Sequence, residues 1–156
     1  MQRDNSLKIW LEAIWWAATA VFAVAVLWPI WQAGAFWPFQ TWNVVFVVAL
    51  VTMARYIFLL RHTFLAKRQV LKIVLFLSMF PLTFVFIDGL NGFMTFVEER
   101  TWAPLTGHLR ASERPAIEAY IWGEMLFFAV GAVLTSVLFA IRMLISVWRT
   151  RNRGTV

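Results

Sequence analysis

A chain of 156 residues is one domain's worth of material, and 62% hydrophobic residues against 14% charged is far from the roughly 25% charged residues of a soluble domain, so water is excluded as its main solvent. The formal charge of +6 is no nucleic-acid footprint, because the basic residues sit at the ends of apolar runs instead of clustering on one polar face with aromatics between them. The chain has no cysteine, which excludes disulfides, thiolate nucleophiles and thiolate metal sites.

A helix needs about 20 mostly apolar residues to cross roughly 30 Å of hydrocarbon. Four stretches qualify, and they predict an all-α integral membrane protein in which one domain, residues 1–156, holds four transmembrane helices in a compact bundle. The first covers about residues 9–31, with Glu12 near its start. Its uncharged run from Ala13 to Trp31 spans 19 residues, longer than the roughly 7 to 15 of a signal-peptide core, so it is expected to be retained as a span. The second covers about 42–60 and carries only Arg55. The third, about 70–90, has an uncharged centre from Ile73 to Ile87 between Lys72 and Asp88. It contains Pro81, which lacks an N–H and crowds the carbonyl four residues back, so a kink is expected there. The fourth covers about 119–148 and is uncharged from Met125 to Ile141, with Glu124 before and Arg142 after. None of these runs alternates apolar and polar residues as a barrel strand does. Helices also satisfy their own backbone groups in lipid, which open sheets cannot.

Orientation follows from the connections. Arg3 and Lys8, then Arg55, Arg61, Lys67, Arg68 and Lys72, then Arg142, Arg149, Arg151 and Arg153 put 11 of the 14 basic residues on one side. The link from Gln32 to Thr41 has no charge, and the link of about 97–118 balances Arg100, Arg110 and Arg114 against Glu98, Glu99, Glu113 and Glu118. Short Lys- and Arg-rich loops stay cytoplasmic, which predicts both termini inside and a multi-pass protein of a bacterial inner membrane. The tryptophans agree. Trp10 and Trp148 fall at the inner ends, and Trp28, Trp31, Trp37, Trp42, Trp102 and Trp122 at the outer ends, where an indole ring pairs an apolar body with one polar N–H. Ser112 to Pro115 has the pattern of a helix-entry turn before the fourth span.

Ionisable side chains within spans face protein or water, because lipid exposure costs at least about 2.5 to 3.5 kcal/mol at the centre. Steps of seven residues put Pro81, Asp88, Asn91 and Thr95 on one face of the third helix, and Glu124, Gly131, Thr135 and Arg142 on one face of the fourth. Asp88, Asn91, Thr95 and Glu124 are therefore candidate buried polar or pathway residues near the outer boundary. Two readings stand side by side. Asp88 and Glu124 meet and share a proton or a cation, or Asp88 pairs locally with Asn91, Arg100 or backbone amides in a turn over Asp88 to Gly92. At the inner end Glu12, Arg55 and Arg142 form a candidate ion pair, against which stands snorkelling of the arginines to the headgroups.

His62 and His108 lie on opposite sides of the predicted topology, and no paired-histidine spacing exists. His108 with Glu98, Glu99 or Glu113 is the one place for a metal at the outer surface, where ordinary solvation is the simpler account. No cofactor is called for. No nucleophile elbow or phosphate-cradling glycine loop appears, so the sequence points away from an enzyme. It points to a non-catalytic accessory or scaffold subunit of a larger inner-membrane complex, whose partners are the lipid bilayer and other membrane subunits or further copies of itself. The alternative is a small homo-oligomeric transporter or channel with an acidic outer vestibule.

Overall fold

The computed structural model describes residues 2–152. The side chains of Arg3, Lys8 and His62, and the whole of Arg153, lie outside the described residues. Five α-helices follow one another: α1 (Gln2–Gln32), α2 (Gln40–Leu59), α3 (Gln69–Arg100), α4 (Ala103–Thr106) and α5 (Arg114–Asn152), with two 3-10 turns, Leu60–His62 and Phe64–Lys67, between α2 and α3. Among the described residues there is no strand, and α1, α2, α3 and α5 are each long and apolar enough to cross a membrane.

Two boundaries differ from those expected. α3 runs on to Arg100 and α5 begins at Arg114, so the link between the third and fourth long helices shrinks to residues 101–113 and holds α4. A helix adds one hydrogen bond per residue and need not stop where the hydrocarbon does. What ends α3 is Thr101, with φ at 58° and its N–H bonded to the Val97 carbonyl, a backbone conformation rare for a β-branched residue. At 1.5 Å per residue α3 and α5 are about 48 and 58 Å long, more than a bilayer core requires. Pro29 and Pro81 both lie inside helices.

α5 is the element on which the others assemble. Its buried residues, Ile121, Met125, Phe128, Ala129, Ala132, Ser136, Phe139 and Met143, recur at the three-to-four-residue spacing of one helical stripe. α2 packs along one flank of this stripe and α3 along another, while α1 touches α2 and α5 more lightly. The small residues let backbones approach. Leu50 of α2 rests on Gly131, where an added Cβ would lie 2.9 Å from its side chain, and Thr83 of α3 shares a 2.7 Å hydrogen bond with Ser136.

Toward the start of α2 the rings of Trp37, Phe39, Phe93, Phe96 and Trp122 pack together, mostly edge to face. Trp37 is buried in this cluster, unlike Trp28 and Trp31, which are exposed. The tryptophans at this end of the helices are thus of two kinds, packing and surface. α2 and α3 meet near the start of α2, where Trp42 lies against Gly89 and the Phe46 ring against Phe86, but their backbones stay apart over most of their length, and an apolar cleft of about 600 Å³ lies between them.

Candidate functional site

The most deeply buried acid of the described chain is Glu124, one residue before the uncharged run of α5. Its Oε1 accepts a hydrogen bond from the Asn43 amide of α2. Asn43 is fully buried and Glu124 is 8% exposed. The amide N–H is used, but Asn43 Oδ1 and Glu124 Oε2 are both buried without a partner. Leaving a buried acceptor unpaired costs about 1 to 3 kcal/mol, so the pair is a high-energy polar spot in the contact between α2 and α5. One turn earlier on α5, the Tyr120 hydroxyl donates to the Val26 carbonyl of α1 at 2.7 Å, tying the C-terminal part of α1 to the same helix.

Asp88, Asn91 and Thr95 are not part of that spot. They are exposed on α3 and line an open depression of about 550 Å³ with Phe39, Phe96, Glu99 and Arg100. Two expectations are corrected here. These three residues are not buried within the chain, because α3 turns its other side, with Phe86, Gly89 and Phe93, to the core. Nor do Asp88 to Gly92 form a turn, since all lie inside α3. Glu124 bonds to Asn43, and no hydrogen bond joins it to Asp88.

At the other end of the helices, Arg55 Nη1 donates to Glu12 Oε2 at 2.6 Å. The guanidinium also stands 5.0 Å from the centre of the Trp15 ring and 5.8 Å from that of Tyr56, positions that favour a cation on aromatic faces. Arg142 does not join the pair. Its Nε donates to the Ile57 carbonyl at 3.1 Å, one of the last four carbonyls of α2, which have no partner within their helix and attract a cation. Lys72, 1% exposed, gives its ammonium to the Ala66 carbonyl at 2.7 Å and to Ser146 Oγ at 3.0 Å. It pins the start of α3 to α5.

The link between α3 and α5 is held by its own neighbours. Arg114 donates to the Leu109 and Gly107 carbonyls, Thr106 to Glu118 at 2.5 Å, and His108 Nε2 lies 3.4 Å from the Ala33 carbonyl. Among the described residues no group of three or more His, Asp or Glu side chains is placed to hold a metal ion, and His108 does not gather Glu98, Glu99 and Glu113 around such a site.

Asn43, Lys72 and Tyr120 were not singled out by their sequence positions. Asn43 had one legible signal, being the only carboxamide in the second apolar stretch. Its partner lies 81 residues away, a separation no local pattern encodes. No protein-family model, curated protein or solved structure matches the chain.

Proposed function

We propose that the protein is a non-catalytic accessory or scaffold subunit of a larger complex in a bacterial inner membrane. In this reading both termini are cytoplasmic, the four spans form a compact bundle, and α3 bends at Pro81. The orientation rests on the Lys and Arg bias and the bend on the missing Pro81 N–H.

One observation carries the reading. Asp88, Asn91 and Thr95 are exposed sideways on α3, the helix whose most apolar window is the least buried of the four. Lipid tails satisfy its apolar residues, but they supply no hydrogen bond to a carboxylate and an amide at the boundary of the hydrocarbon, which helices of a neighbouring chain do. The alternative, a small homo-oligomeric transporter with an acidic outer vestibule, is favoured by a different observation, the unpaired acceptors Asn43 Oδ1 and Glu124 Oε2. Glu124 Oε2 would take a proton, or the two oxygens together a cation.

A photo-crosslinking amino acid at Thr95, activated in intact membranes, tests both. The accessory reading expects an adduct heavier than the chain that contains a different protein, and extraction in mild detergent that keeps the two together. An adduct with a second copy alone, or no protein adduct, overturns it. The second-copy result would promote the transporter reading.

A further inference from the structure

We propose that the cleft between α2 and α3 is a binding site for an anionic phospholipid, with one acyl chain in the cleft and the headgroup against Lys67 and Arg68. The inference rests on no partner chain and is independent of the accessory-subunit reading.

The cleft exists because α2 and α3 both lean on α5 while their own backbones stay apart over most of their length. Its walls are Val48 and Met53 of α2 and Leu75, Met79 and Phe86 of α3, with Phe139 of α5 also lining it. Such a space is poor in partners for water, which needs two to four polar contacts to stay, and well suited to hydrocarbon. Size suits a flexible chain. If a methylene group occupies about the 30 Å³ of a liquid water, the cleft of about 600 Å³ accommodates on the order of twenty of them, the scale of one acyl chain.

Charge decides which lipid. The 3-10 turn Phe64–Lys67 and the first turn of α3 contribute Phe64, Leu65 and Leu71 to the wall of the cleft. Lys67 and Arg68 lie between Leu65 and Leu71 in the chain, are exposed, and make no side-chain hydrogen bond or ion pair with any described residue. Lys72, one turn on, has its ammonium buried and satisfied and serves as the contrast. Two cations that no described residue pairs, carried on the segment whose apolar residues line one end of a cleft between membrane helices, form the combination that recognises an anionic headgroup.

The test uses full-length protein, stripped of lipid in detergent and examined by native mass spectrometry with phosphatidylglycerol and phosphatidylcholine of identical chains. One phosphatidylglycerol should stay bound in preference to phosphatidylcholine. Lys67→Gln with Arg68→Gln, both at the surface and harmless to folding, should weaken phosphatidylglycerol by roughly fivefold for each charge and leave phosphatidylcholine unchanged. Ala49→Trp, which fills the cleft, should lose both lipids, with circular dichroism reporting that the helices remain. Equal retention of the two lipids by the wild type overturns the proposal. So does retention unchanged by Ala49→Trp in a folded protein, or a wild-type dimer that Ala49→Trp converts to monomer, since a second copy would then be the occupant.

Discussion

The Arg55 guanidinium is placed where a single substitution has a readable consequence. It is 7% exposed and its Glu12 partner 16%, and Glu12 Oε1 already lacks a hydrogen bond. Removing one member leaves the other charged, largely desolvated and unpaired, which in buried pairs costs about 3 to 5 kcal/mol. We expect Glu12→Gln or Arg55→Gln alone to lower stability by about 3 kcal/mol, and the double substitution to lose clearly less than the sum. Unfolding of the four proteins in mixed detergent micelles measures this, and additive losses would show that the contact is energetically idle. Sequence position put Glu12, Arg55 and Arg142 at the same end of their helices. Which arginine reached the carboxylate was decided by packing, because α2 also ended there and its Ile57 carbonyl took Arg142.

For elements, the contact between α2 and α3 at Gly89 is the most demanding. A Cβ on Gly89 would lie 2.5 to 2.8 Å from three carbons of the Trp42 indole, while one on Gly92 meets nothing within 4 Å. The Trp42 ring is stacked on Phe46 at 5.6 Å and has little room to yield. Gly89→Ala is expected to destabilise the protein by roughly 1 to 3 kcal/mol through overpacking. Gly92→Ala is expected to be neutral or to stabilise it by up to about 1 kcal/mol through helix propensity. Unfolding midpoints of the two variants, compared in the same detergent, check the pair, and equal effects at both positions would contradict the packing at Gly89. One of the two readings of the sequence placed these glycines in a turn. The helix passes through them because hydrogen bonding continues past the apolar run, and Gly89 is needed for its missing side chain.

On the scale of the whole molecule the charge bias makes a topological forecast. With 11 of 14 basic residues assigned to the termini, the α2–α3 link and the adjoining helix ends, reporter tags fused at residue 1 and residue 156 should both report the cytoplasm, and a tag in the outer link near Gly107 the opposite side. Moving the bias should move the result. Tags at the two ends in different compartments would defeat the orientation and the proposed placement with it.

Four apolar runs, their helical state and their capacity to cross a bilayer followed from the amino acids alone, since hydrocarbon leaves a backbone no partner but itself and a span must be long enough to cross. Which polar side chains met was a different matter. The pairing of Asn43 with Glu124, the burial of Lys72, the outward turn of Asp88 and the cleft between α2 and α3 depend on how helices far apart in sequence lie against α5. Hydropathy measures each helix against lipid and carries no information about the angle or rotation at which one rod meets another; only side-chain packing sets those.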